Sequence, residues 1–387
     1  MPASHASSTM LFTLLIAGLA GCSPTSNSLA PTSFQTATSL PPASTPEAAL
    51  PQPSSPFPLS EAGPYQVGVM RMFSFEDASR AGREVSLTVW YPGLPTEGEA
   101  SSASSGDAPP DLSEAPYPLV LSSSKVASLF APHVASYGFV VAGVNGQDSK
   151  DKWGAWLIDY PLDILFALDQ IATQPLGGLE GMIDANRAGA MGYSFDGYNA
   201  LALSGARVDP EFYLGKCAEA ATMQPAPPAW WIAYTCALAD GWDQFAAHAG
   251  DALTTSDDGL WQPMSDERIR AVMPMAPEGS WLFGERGLAA ADRPTLIIGA
   301  TADDINIYSL EAVYTFEHLG DPARAMISFV DETHMMVYDP RMVARMGHFA
   351  VAFFGFYLQG RDDYARYFSQ EFVEQHEDLA WGVYQGN

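Results

Sequence analysis

Residues 187–201, RAGAMGYSFDGYNAL, constrain the chain more than any other stretch. A short small-and-apolar run ends at Ser194 and a helix-compatible run follows at once, so the segment reads as strand, tight turn and helix with Ser194 at the apex. A hydroxyl on such a turn projects into a cleft, and the helix N-terminus beside it favours a developing negative charge. The spacing such a turn ordinarily uses is G-x-S-x-G. Here it is Gly192-Tyr193-Ser194-Phe195-Asp196, with Gly197 one step late. The second small residue of that pattern lets the turn pack closely, which makes Asp196 a departure.

The sequence on either side alternates between strand and helix patterns. From residue 63, GPYQVGVMRMFSFEDASRAGREVSLTVWYPG has the period-two pattern of two strands, the second ending near Tyr91. Residues 117–121 (YPLVL) and 138–144 (GFVVAGV) read as short buried strands, with a helical stretch through His133 and Ala135 between them. Strand, helix and strand at this spacing form a right-handed crossover, which builds a parallel sheet. Residues 159–172 are amphipathic and read as the helix leading to the Ser194 strand. Further core strands are expected at 269–275, 295–299 and 325–330, with helical runs after Asp304 and Pro340. The alternation predicts an α/β fold with a doubly wound, mostly parallel sheet. Residues from about 207 to 266 show no core strand but hold Trp230, Trp231, Trp242, Trp261 and two cysteines. This insertion reads as a cap beside the cleft, its aromatics forming either a satellite core or a wall facing the acyl group.

Ahead of the domain, residues 10–21 (MLFTLLIAGLAG) are too short an apolar run to span a bilayer and have the length of a signal-peptide core. They end in Leu19-Ala20-Gly21-Cys22, the pattern of a bacterial lipobox whose cysteine is acylated, although no Lys or Arg precedes the run. Cleavage of an ordinary signal peptide elsewhere is the alternative. Residues 23–60 are Ser, Thr, Pro and Ala with almost no aromatics, a composition expected of a disordered tether. The partition is then 1–22 signal peptide and lipobox, 23–60 tether, and 61–387 folded domain. The expected product is exported and anchored by lipid on the cell surface or the periplasmic side. In that oxidising setting Cys217 and Cys236 read as a disulfide, with two buried thiols as the alternative.

A net charge of −27, from 18 basic and 45 acidic residues, argues against nucleic acid or an anionic membrane surface as a partner. Neither late cysteine has a His or a third Cys at ligand spacing. The pairs Asp257-Asp258 and Asp362-Asp363 read as solvated faces, so no metal or other cofactor is implied.

A serine nucleophile needs a base within hydrogen-bond reach and a third group that fixes the base's tautomer. Downstream of Ser194, the TLIIG strand runs into Ala300-Thr301-Ala302-Asp303-Asp304, and the AMISFV strand runs into Asp331-Glu332-Thr333-His334. A carboxylate and an imidazole are thereby set on neighbouring loops at strand ends. His133, His248, His318, His348 and His376 lie in helical or cap segments and read as structural.

The 63–93 stretch, HVASYGFVVAGV, PLDILFALDQIA, RAGAMGYSFDGYNAL and RPTLIIGATADD together resemble the bacterial dienelactone hydrolase and platelet-activating-factor acetylhydrolase-like family of α/β hydrolases. TLIIGATADDINIY and HFAVAFFGFYLQGRDDYARYF are also similar to the cutinase-like polyesterases of the same superfamily. The resemblance implies an α/β-hydrolase fold with a cap insertion and a triad of Ser194, Asp303 and His334. Asp303 is preferred to Asp304 because the family's loop sets the acid directly after Ala302. The acid position some acetylhydrolases use instead, after the preceding strand, has no carboxylate here until Glu278.

The resemblance also implies two backbone oxyanion donors, Phe195 and Val126, the latter on a loop written Ser123-Ser124-Lys125-Val126 where the family has S-H-G and a donor. If that glycine holds a positive φ, Lys125 would be strained there by about 1 kcal/mol. The expected activity is hydrolysis of a small carboxylic ester through an acyl-enzyme. The alternative, warranted by the altered turn and the lost His-Gly, is a catalytically silent surface lipoprotein of the same fold that acts as a binding protein.

Overall fold

Period-two patterning makes the first hairpin: β1 (Gln66–Asp77) and β2 (Arg83–Gly93) pair antiparallel around a turn in which Ala81 and Gly82 both take positive φ. The computed structural model describes residues 55–95, 108–147 and 154–386. The signal segment, Cys22 and most of the expected tether lie outside the described residues. The tether was expected to reach residue 60, but the packing begins earlier, because Phe57 and Leu59 are buried. The Phe57 ring stacks on His376 and lies under the Arg345 guanidinium, while the Leu59 N–H donates to His348 Nδ1 at 3.0 Å. Two apolar side chains in a polar stretch suffice to dock it.

The crossover units follow. β3 (Tyr117–Ser123) leads straight into α1 (Ser124–Ala135), then β4 (Val140–Gly146), α2 (Trp156–Thr173), β5 (Ile183–Tyr193) and α3 (Phe195–Leu203). Strand β4 starts two residues later than the pattern suggests, because Gly138 at φ +85 closes the turn after α1. The regular structure of the insertion is helical: α4 (Pro210–Glu219), α5 (Ala229–Thr235), α6 (Trp242–Ala249) and α7 (Asp251–Thr254), with turns between and after them. The chain returns through β6 (Ile269–Met275), α8 (Ser280–Ala289), β7 (Leu296–Ala300), α9 (Ala312–His318) and β8 (Ala325–Phe329). It ends with α10 (Pro340–Gln359), α11 (Gln370–Val373) and a three-residue strand β9 (Leu379–Trp381).

The nine strands of the described residues form one mixed sheet in the order β1-β2-β4-β3-β5-β6-β7-β8-β9. The six central strands are mutually parallel, while β1, β2 and β9 run antiparallel to their neighbours at the edges. Both faces are covered, so alternate residues of a strand enter different cores. Val120, Met191 and Met273 pack with α1 and α10, whereas Leu119, Leu121 and Ala190 pack with α2. The structure is therefore α/β with a mostly parallel sheet wound on both faces. The long α10 is anchored by Phe349, Phe353 and Phe354, each essentially fully buried and worth about 2 kcal/mol. Trp231, Phe245 and Trp261 of the insertion pack with Trp281 of α8, Tyr198 and Leu201 of α3 and Ile297 and Met326 of the sheet. The insertion's buried aromatics therefore extend the core on one face of the sheet and do not form a satellite of their own.

Candidate active site

Ser194 sits between the end of β5 and the first residue of α3, with φ 59 and ψ −123. A serine held at positive φ costs about 1–3 kcal/mol, and the surroundings enforce it. The Ser194 N–H donates to Met275 O at 2.8 Å, and Ser194 O accepts the Gly197 N–H at 2.8 Å. A Cβ added at Gly192 would lie 1.8 Å from Asp196 O, and one at Gly197 would lie 2.8 Å from Pro277 Cα. The close approach that the usual pattern assigns to the residue two past the serine is therefore made by Gly197, which frees position 196 to carry a side chain.

The candidate base and acid come from the expected loops. His334 opens a 3-10 turn after β8, held by the Tyr193 hydroxyl, which donates to His334 O at 2.6 Å. His334 Nε2 lies 2.8 Å from Ser194 Oγ, and its Nδ1 lies 2.8 Å from Asp303 Oδ2. A carboxylate only accepts, so Nδ1 carries the proton and Nε2 is free to accept from the serine. Asp303 Oδ1 accepts the N–H groups of Ile305 and Asn306, which aims its second oxygen at the imidazole. Asp303 is buried, whereas Asp304 is exposed. Glu278, on the loop after β6, makes no bond to His334. Such an arrangement can draw the proton from the serine hydroxyl as its oxygen attacks an electrophile.

The other histidines among the described residues are held structurally. His133 Nε2 bonds Leu59 O, His248 Nε2 bonds Asp159 Oδ1, and His318 Nδ1 bonds Tyr314 O. His348 accepts from Leu59, its pKa pushed down to about 3 chiefly by burial, and His376 stacks on Phe57.

The expected oxyanion donors fare differently. Phe195 is the first residue of α3, where a backbone N–H has no partner within the helix. The Val126 N–H instead donates to Ser123 Oγ, at 3.4 Å, because α1 begins at Ser124 and Ser123 caps it. The strain expected at Lys125 is absent for the same reason: Lys125 is helical and does not take positive φ. The Ser123 hydroxyl donates in turn to Asp196 Oδ2 at 2.6 Å, and Asn199 Nδ2 donates to Asp196 Oδ1 at 3.2 Å. Asp196 is buried, which pushes its carboxyl up to about 6 against the opposing pull of these bonds and of Lys125.

Beneath the cap lies a cavity of about 530 Å³. Neither Ser194 nor His334 lines it. It adjoins the Ser194 turn through Trp156, whose ring meets that of Phe195 edge-on. Cys217 of α4 and Cys236, just past α5, form a disulfide that ties together the two helices bearing wall residues Tyr213 and Tyr234. Glu278 enters the sequence reading only as a carboxylate too late for the alternative acid position, and Glu311 not at all, since nothing local in the sequence marks a carboxyl that folding will bury.

Among the described residues no cluster of three or more His, Cys, Asp or Glu could hold a metal ion, and no helix is long and apolar enough to cross a membrane. No family model matches the chain, and no curated protein does.

Proposed function

We propose that the chain is a serine hydrolase of carboxylic esters, built on an α/β-hydrolase fold and exported as a lipid-anchored protein through Cys22. The observation that carries the activity is the unbroken line of hydrogen bonds from Ser194 Oγ through His334 to Asp303, on a serine held at positive φ. Serine, acid and histidine lie on the loops after β5, β7 and β8, the carboxyl ends of parallel strands, where ligands of such sheets bind.

In this reading Ser194 Oγ attacks the ester carbonyl while His334 Nε2 takes its proton. The tetrahedral intermediate places its oxyanion near the Phe195 N–H. Collapse expels the alcohol, which receives the proton from Nε2, and leaves an acyl-serine. A water attacks the acyl-serine with His334 again as base, releasing the acid and restoring the hydroxyl. An active-site-directed fluorophosphonate should label the wild type at Ser194 and leave Ser194→Ala unlabelled. Absence of labelling in folded wild-type protein sinks the assignment.

One observation favours a second reading, a silent binding protein. The Val126 N–H is committed to Ser123 and the buried Asp196 adds negative charge beside the Ser194 turn, so the resting site offers one clear oxyanion donor. Loss of one such donor costs about 10²–10³ in turnover, which leaves a slow enzyme rather than none.

A further inference from the structure

The cavity under the cap has the size of a ligand pocket, and its walls are chemically one-sided. Trp156, Tyr213 and Tyr234 supply aromatic rings, Tyr234 from the exposed rim, and Glu278, Asp240 and Glu311 supply carboxyls; among the described lining residues none is Lys, Arg or His. Glu278 is the group best placed to meet a ligand. It follows β6, the strand beside Ser194's own, and is 8 % exposed. Its one hydrogen-bonding side chain is the Tyr234 hydroxyl, which donates to the two carboxyl oxygens at 3.3 and 3.1 Å. Glu311 lies deeper and accepts the Ser280 N–H at 3.0 Å. A carboxyl buried as Glu278 is, at the inner end of a cavity with aromatic residues in its wall, is costly to ionise until a cation arrives, and aromatic rings attract the same cation.

Resting on the esterase reading, we propose that this cavity is a subsite for an organic ammonium group carried by the ester substrate, with Glu278 as counter-ion and Trp156, Tyr213 and Tyr234 as its aromatic wall. The ester carbonyl then reaches Ser194 past the Trp156–Phe195 contact, so that the charged end is bound away from the bond that breaks. Electrostatics alone do not require a metal or a polar solvent path here; the walls match a soft, weakly hydrated cation better than a small hydrated one.

The groups facing Glu278 set the pH dependence. Burial is the main cause that pushes Glu278 up to about 7; the Tyr234 hydrogen bond and the His334 charge pull it down, and Asp196 pushes it up. Glu311 is raised by burial to about 8, with the Glu278 charge adding to the rise. A bound cation favours the carboxylate, so cation affinity should increase with pH as Glu278 loses its proton.

The test is calorimetric and needs no turnover, so it stands apart from fluorophosphonate labelling of Ser194. Choline and its neutral isostere 3,3-dimethylbutan-1-ol are titrated into full-length protein at pH 5.5 and pH 8. Choline is expected to bind at least about tenfold more tightly than the alcohol at pH 8, and to weaken on the order of tenfold at pH 5.5, while the alcohol stays unchanged. Glu278→Gln, checked for folding by its melting temperature, should abolish the preference, and Tyr234→Phe should reduce it. Equal binding of the two probes by the wild type overturns the proposal, and so does a preference that survives in Glu278→Gln. If Glu278→Gln does not fold, the wild-type comparison decides alone. Cation binding without fluorophosphonate labelling would retain the subsite and discard the esterase.

Discussion

Two neighbouring carboxylates show how finely a single position is set. Asp303 spends one oxygen on two backbone N–H groups and gives the other to His334, while Asp304 points outward. Asp303→Asn should lower ester turnover on the order of 10⁴-fold by favouring the wrong imidazole tautomer. Asp304→Asn should stay within about twofold. Steady-state rates on a p-nitrophenyl ester separate the two, and the reverse ranking would move the acid. Asp196 is subtler. Restoring glycine there, which the sequence pattern invites, would also cut the bond to Ser123 that ties α3 to the start of α1. Asp196→Asn keeps an acceptor for Ser123 and removes the charge. Because the carboxyl titrates near 6, the ratio of mutant to wild-type turnover should be close to one at pH 5 and rise several-fold by pH 8. A ratio flat with pH would show that the charge does not bear on the oxyanion. The trio itself was legible because each member ends a strong strand pattern. The fate of the Val126 N–H was not, since the strand runs into three successive serines, any of which could cap a helix, and only the fold selects Ser123.

At the level of elements, legibility followed pattern length. The buried strands at 269–275 and 325–329 and the helix from Pro340 stand close to where periodicity puts them. Helix α8 was hidden because Gly284, at φ 61 and ψ −177, interrupts it, and β9 because three residues carry no period. The helix expected directly after Asp304 begins only at Ala312, since the intervening residues form successive turns that hold Asp303 and Glu311. The cap is the element that composition alone could not resolve. Its disulfide closes a separation of 19 residues, for which chain entropy gives about 3 kcal/mol. Cys217→Ser with Cys236→Ser should therefore lower the unfolding free energy by about 2–4 kcal/mol in urea melts without reducing agent. It should also let protease cut between α4 and α5 first. Unchanged stability and an uncut cap would mean that packing around Trp231 holds the insertion unaided.

The whole molecule carries a net charge of −27 and buries several carboxyls, which shapes its response to pH. Glu311, Glu278 and Asp196 all have pKa values raised by burial, to about 8, 7 and 6. Each keeps a proton when folded that the unfolded chain gives up, so the native state binds more protons between about pH 4 and pH 8. These groups therefore make stability fall as pH rises through that window. Glu311→Gln, which still accepts from Ser280, should match the wild type near pH 4 and exceed it by on the order of 1 kcal/mol or more at pH 8. Denaturant melts at the two pH values check this; a wild type whose stability rises from pH 5 to 8 by the same amount as the variant's would refute it.

The docked segment at residues 57–60 has a mechanical consequence. A pull applied at Ser55 meets Phe57 between His376 and Arg345, and Leu59 between His133 and His348, before it reaches β1. The load passes into α10, a twenty-residue helix lying along the sheet, so many contacts share it in shear. Without that clamp the same pull would arrive at the end of an edge strand and peel β1 from β2 one hydrogen bond at a time. Phe57→Ala should accordingly lower the rupture force in single-molecule stretching from this end by more than it lowers equilibrium stability. Position 57 is then the strain relief at which the domain takes up a load applied at its first described residues.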